Sequence, residues 1–135
     1  IIDDTYEDLY IAERILKKVN PEFKITVFQH SDIACRQLHL YHEHNQPLPE
    51  AILLDLNMPV MSGFDFLEFT SQFITNHPPV FILSSSADEN DKLHALEFKQ
   101  VVHFFTKPLT RQMAEQIQHV LYKVVILTFI ILPIT

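Results

Sequence analysis

Five residues of this chain stand where apolar runs end, and their side chains suit one kind of chemistry. Asp3 and Asp4 follow Ile1-Ile2, Asp55 follows Ala51-Ile52-Leu53-Leu54, Ser84 follows Val80–Leu83, and Lys107 follows Val101–Phe105 by one residue. Three carboxylates brought to one place repel each other and are costly to keep ionised without a counter-ion. A hard divalent cation meets that need, and Mg²⁺ suits one or two carboxylates completed by water and phosphate oxygens. An aspartate beside such a cation is a plausible nucleophile, because carboxylates form aspartyl phosphates. The phosphoryl group spreads its charge over three oxygens. The cation meets one side, the Lys107 ammonium another, and the Ser84 hydroxyl or a backbone N–H the third.

Short apolar runs alternate with helical stretches five times along the chain. Ile1-Ile2 reads as the end of a strand, followed by a helix from about Tyr6 to Asn20 with Ala12, Ile15, Leu16 and Val19 on one face and Pro21 beyond it. Lys24–Phe28 reads as a second strand, with Ser31-Asp32 as the cap of a second helix whose Ala34, Leu38 and Tyr41 face inward. The unbroken run Ala51–Leu54 is the pattern of a strand covered on both faces. A third helix follows the loop Pro59–Gly63 and carries Phe66, Phe69, Thr70 and Phe73 along one side. Val80–Leu83 is a fourth strand. A helix of about Glu89–Phe98 with Leu93 and Leu96, a fifth strand Val101–Phe105, and a helix capped by Thr110 complete the order. Five β-α units imply an α/β domain: a doubly wound parallel sheet with helices on both faces. Ligands of such sheets bind beyond the carboxyl ends of the strands. Those ends are where Asp3, Asp4, Asp55, Ser84 and Lys107 lie.

The acidic pair Asp3-Asp4, the run Leu53-Leu54-Asp55-Leu56-Asn57-Met58-Pro59 with Gly63, Ser84, and Phe105-Thr106-Lys107-Pro108 resemble, in order and spacing, the motifs of the CheY-like receiver domains of bacterial two-component response regulators. The combination is far more specific than any one motif. The resemblance covers residues 1–123 and implies a flavodoxin-like sheet of five strands in the order 2-1-3-4-5. It implies that Asp55 accepts a phosphoryl group from a histidine kinase or histidine phosphotransfer protein. Asp4, Asp55 and the backbone carbonyl of Asn57 would hold Mg²⁺, with Asp3 acting through a metal-bound water. Lys107 would pair with the phosphoryl oxygens across a cis bond to Pro108. Ser84 and Phe104 would be the switch pair, Asn57 and Ser86 would tune the lifetime of the phosphoryl group, and the face of the fourth helix, fifth strand and fifth helix would meet a downstream protein. Two modest polar side chains at 57 and 86 point to a rather short lifetime. The chain departs from the family in having Phe104 where a tyrosine is usual, and in lacking a small residue in Glu97-Phe98-Lys99-Gln100 before the fifth strand.

Composition narrows the partners. Seventeen acidic residues against ten basic ones give a net charge of −7, with no basic stripe for a nucleic acid. Cys35, the single cysteine, cannot form an internal disulfide, which fits a reducing cytoplasm. Ile1-Ile2-Asp3-Asp4 lacks the basic region of a signal peptide and looks like a strand short of its first residues. The remaining segment, 124–135, is apolar and β-branched. It is too short for a membrane span of about 20 residues. Its composition favours a sixth, covered strand, or one exchanged with a neighbour in a homodimer. Two other functions use some of the same features. An adaptor resembling a receiver would bind without phosphorylation. An Mg²⁺-dependent phosphohydrolase of the haloacid dehalogenase kind would place an Asp-x-Asp nucleophile after its first strand and needs a cap, for which this chain is too short. Asp4 and Glu7 have the spacing of a helix capping box, and His39, His42 and His44 lack an evident fourth ligand for a metal.

Overall fold

Ile52, Leu53 and Leu54 are all buried, as expected of an apolar run with helices on both sides. In this computed structural model, which describes residues 1–131 and side-chain surroundings to Lys123, they form β1 (Ile52–Leu54). Parallel to it run β2 (Val80–Ser84) and β3 (Val101–Thr106), in the order β1-β2-β3. The helices are α1 (Tyr6–Val19), α2 (Ser31–Glu43), α3 (Gly63–Phe73), α4 (Glu89–Glu97) and α5 (Arg111–Ile131). None of them, among the described residues, is long and apolar enough to cross a membrane.

The strand period of two sorts the core into two layers. Ile52, Leu54, Val80 and Ile82 pack with Ala34, Cys35 and Leu38 of α2, Phe66 and Leu67 of α3, and Ala95 of α4. Leu53, Phe81, Leu83 and Phe105 pack with Ala12 and Leu16 of α1 and with Ala114 and Ile117 of α5. Helices therefore cover both faces, as the sequence pattern implied. Thr110 starts α5 as expected, its hydroxyl accepting the Met113 N–H at 3.3 Å.

The order 2-1-3-4-5 is kept, but its first two members are shorter than the sequence suggested. Ile2 makes parallel bridges to both Phe28 and Leu54. Its N–H donates to Leu53 O at 2.8 Å, and Asp55 N–H returns to Ile2 O at 2.9 Å. On the other side Phe28 N–H donates to Ile1 O and Asp3 N–H to Phe28 O, at 2.8 and 3.0 Å. Of Lys24–Phe28 only Phe28 bridges to the neighbouring segment, at Ile2, and Lys24–Val27 forms no ladder. A groove of about 630 Å³ runs there, with Phe23, Ile25, Ala51 and Ile117 among its walls.

Other expectations need correction. The apolar segment after Lys123 is not a strand: α5 continues through it to Ile131, and residues 132–135 lie outside the described residues. Once a helix is nucleated, adding a residue costs little, and the modest handicap of β-branched side chains does not stop it before Ile131. Ser31 does not cap α2 but is its first residue, and its hydroxyl donates to Met61 O. Asp4 and Glu7 form no capping box, since Thr5 occupies the cap position of α1 without a side-chain bond. Phe66, Thr70 and half-buried Phe73 face inward, whereas Phe69 is 49% exposed. Leu93 and Leu96 are also exposed, because the short α4 buries only Ala95. The turn before β3 closes without a glycine: among the described residues only Asn45 and Val60 have positive φ.

The one glycine sits where backbone meets backbone. Gly63 N–H donates to Leu56 O at 2.9 Å, and a Cβ at this position would lie 2.8 Å from Leu56 Cα and clash with Asp55 O. Ser62 and Asp65 complete the start of α3 with a reciprocal capping box. Val60, in the loop between, is 94% exposed with φ of 69°, a conformation disfavoured for a β-branched residue. Chemical denaturation should therefore show Gly63→Ala destabilised by about 2–3 kcal/mol through overpacking. In the same assay Val60→Gly should gain about 1 kcal/mol by relieving the left-handed valine.

Candidate active site

The backbone of β1 ends by placing Asp55 beside Ile2, so the sheet itself brings Asp3 against Asp55. Both carboxylates are buried, at 3% and 4% exposure, while Asp4 points to solvent. One oxygen of each of the three lies within 4.8 Å of the others, a spacing that could hold a metal ion. All are hard oxygen donors, the kind that Mg²⁺ prefers. Asp3 Oδ1 accepts Thr5 N–H at 2.9 Å, fixing its orientation at the start of α1. Asn57 N–H lies 3.4 Å from Asp55 Oδ1, and the Asn57 side chain is exposed.

Lys107 closes the site from the end of β3. Its N–H donates to Ser84 O at 2.9 Å, and its bond to Pro108 is cis, as the family resemblance implied. The ammonium contacts Asp3 Oδ2 at 2.7 Å, Asp8 Oδ2 at 2.8 Å and Asp55 Oδ2 at 3.3 Å. Burial pushes the pKa of both Asp3 and Asp55 up, despite the opposing pull of Lys107. For Lys107 burial acts downward, but the hydrogen bonds to Asp3 and Asp8 and the charges of Asp3 and Asp55 outweigh it and raise its pKa. One ammonium thus faces an excess of negative charge, and that excess suits a further cation.

The residues expected around this core are near but not equally engaged. Ser84 is fully buried, and its oxygen accepts Ser86 N–H at 3.1 Å. Ser86 Oγ donates to Asp91 Oδ2 of α4 at 2.7 Å, so its hydroxyl is turned toward that helix. Phe104 is half-buried against the core layer of α2, α3 and α4. Asp8 is the residue the sequence reading missed. Its partner Lys107 lies 99 residues away, so no local spacing pointed to it. The three histidines do not converge: His39 pairs with Glu43 and packs edge-on to Phe73, while His44 Nδ1 contacts Leu40 O. Cys35 is buried, with its thiol pushed up to about 11 by burial and the nearby Asp32 charge, so it is a core residue.

Solved structures that resemble this chain in fold are numerous. The family model described as the response regulator receiver domain matches residues 1–119. The response regulator Rcp1 of Synechocystis is 27% identical over 99 residues, covering 72% of this chain and 67% of that protein. The transcriptional regulatory protein KdpE of Mycobacterium tuberculosis is 41% identical over 49 residues, and a protein-glutamate methylesterase/protein-glutamine glutaminase of Haloarcula marismortui is 41% identical over 63. Those matches span only 21% and 16% of the two relatives. A two-component response regulator from Legionella pneumophila superposes with a TM-score of 0.74 at 27% identity, covering 90% of this chain and 95% of that one. One from Cytophaga hutchinsonii shares the fold with a TM-score of 0.81 at 23% identity, covering 90% and 93%. In motif, family model and fold alike, this chain belongs to the response regulator receiver domains.

Proposed function

We propose that Asp55 is the phosphoacceptor of this receiver domain, taking a phosphoryl group from a histidine kinase or histidine phosphotransfer protein in the bacterial cytoplasm. The observation that carries the reading is a buried Asp55 at the end of β1, with the Lys107 ammonium 3.3 Å away and Asp3 and Asp4 at its side. Asp3, Asp4, Asp55 and the backbone carbonyl of Asn57 are the groups that would hold Mg²⁺. When bound, Mg²⁺ supplies positive charge to the phosphoryl oxygens.

An Asp55 oxygen attacks the phosphorus of a phosphohistidine, the P–N bond breaks, and its electron pair returns to the imidazole, which takes up a proton from solvent. Lys107 neutralises a second phosphoryl oxygen. Ser84 Oγ accepts from Ser86 N–H and keeps its own proton to donate to a third. Drawing Ser84 inward opens room for Phe104 to repack, a local change that biases a two-state surface. That surface is the face of α4, β3 and α5, where Leu93, Leu96 and Val102 are exposed for a downstream protein. Water later attacks the acyl phosphate and releases inorganic phosphate. The domain has no other turnover. With Asn57 exposed and Ser86 engaged by Asp91, little bulk hinders that water. A lifetime shorter than many hours follows.

Incubation with acetyl phosphate and Mg²⁺ should add one phosphoryl mass to the parent, and none to Asp55→Asn or without Mg²⁺. No adduct on the folded parent would favour the adaptor reading. Stability supplies a second check. A carboxyl whose folded pKa is raised holds its proton longer than in the unfolded chain, whose value is near 3.8, so its ionisation lowers stability as pH rises through that interval. Asp55→Asn should accordingly be more stable than the metal-free parent by about 1 kcal/mol at neutral pH. The gain should vanish at pH values below the carboxylate range and shrink as Mg²⁺ stabilises the parent by mass action.

A further inference from the structure

Lys107 has three ammonium protons and three carboxylates around them, and the three are not equivalent. Asp3 and Asp55 belong, with Asp4, to the acidic group whose oxygens lie within 4.8 Å of one another. Asp8 stands outside that group. It projects from the first turns of α1, and its carboxylate is 27% exposed but only 2.8 Å from Lys107 Nζ. A cation drawn to the acidic group competes with Lys107 for Asp3 and Asp55, because a carboxylate shared between two cations binds each less strongly. Asp8 is the partner that this competition leaves alone.

We propose that Asp8 is a positioning residue that keeps Lys107 in place while a metal ion occupies Asp3 and Asp55. The inference rests on the reading of Asp55 as the phosphoacceptor. The shorter contact, to Asp8, then holds one N–H. The N–H now spent on the 3.3 Å contact to Asp55 becomes free for a phosphoryl oxygen. Lysine needs such a hold, since its ammonium rides on four flexible methylenes and is strongly attracted to water. Rigidity at the other end comes from α1, whose Leu9, Ala12 and Leu16 are buried and fix the rotation of the helix that carries Asp8. Asp8 touches no reacting atom. It acts through Lys107.

The test compares the parent, Asp8→Ala, Asp8→Glu and Glu7→Gln. The last removes the same charge from an exposed neighbour on the same helical turn. The first readout is the Lys107 ammonium resonance by ¹H–¹⁵N NMR in saturating Mg²⁺, without any phosphoryl donor. It should persist in the parent and Glu7→Gln, be lost in Asp8→Ala, and return in part with Asp8→Glu. The second is the beryllofluoride concentration for half-saturation, which should rise about tenfold in Asp8→Ala, as for loss of a charged hydrogen bond, and by less than about twofold in Glu7→Gln, as for an exposed charge. An ammonium signal that survives in Asp8→Ala, or disappears from the parent when Mg²⁺ is added, would overturn the inference. So would equal losses of beryllofluoride affinity in Asp8→Ala and Glu7→Gln. If the NMR pattern appears but the parent binds no beryllofluoride, Asp8 does hold Lys107 and the phosphoacceptor reading is what fails.

Discussion

Burying like charges at the end of a parallel sheet is the constraint around which this molecule is arranged. Asp3 and Asp55 are brought together by the backbone hydrogen bonds between Ile2 and the end of β1, before any side chain has a choice in the matter. Burial, together with the Asp8 charge on Asp3 and the Asp3 charge on Asp55, favours the protonated form, and both pKa values rise accordingly. A single ammonium, Lys107, answers them, with Asp8 as its third partner. Three carboxylates around one lysine, with Asp4 beside two of them, leave negative charge uncompensated, and that excess suits a divalent cation. The same imbalance that weakens the resting fold favours a bound cation.

Holding such a cluster requires a scaffold with little freedom. Three loops converge on the site, and each is tied to something rigid. The loop after Asp55 is drawn in by Gly63 N–H on Leu56 O, anchored by the capping box of α3, and tied to α2 through the Ser31 hydroxyl on Met61 O. The loop after β2 is pinned by Ser86 and Asp88 near the start of α4. Lys107 is placed by its own backbone bond to Ser84 O. Ser84 therefore touches both of the loops that would report phosphorylation to the exposed face of α4, β3 and α5.

Local pattern was enough to place the elements that are covered on both faces. Ile52–Leu54 and Val80–Leu83 are unbroken apolar runs, and the residue that ends each is a candidate site residue. Gly63 stood out because no other glycine exists, and the reason is a backbone contact that no side chain permits. The misses have physical causes outside local pattern. Lys24–Phe28 has strand composition, but only Phe28 pairs with its neighbour, at Ile2. Residues 124–131 have strand composition too, yet they continue α5, since helix propagation outweighs a weak β preference. Phe69, Leu93 and Leu96 fit an apolar stripe, but α3 and α4 bury a narrower face than the stripe suggests. Asp8 was hidden because its partner lies 99 residues away, a pairing that only the tertiary fold creates.

The central claim concerns one bond, between Asp55 and phosphorus, and its position can be read directly. Acyl phosphates are reduced by borohydride, which converts a phosphorylated aspartate to homoserine. Phosphorylated protein treated in this way and sequenced by tandem mass spectrometry should carry homoserine at position 55 and aspartate at positions 3, 4 and 8. Homoserine at any of those three positions, or a phosphoryl group that resists borohydride on a serine or histidine, would contradict the account.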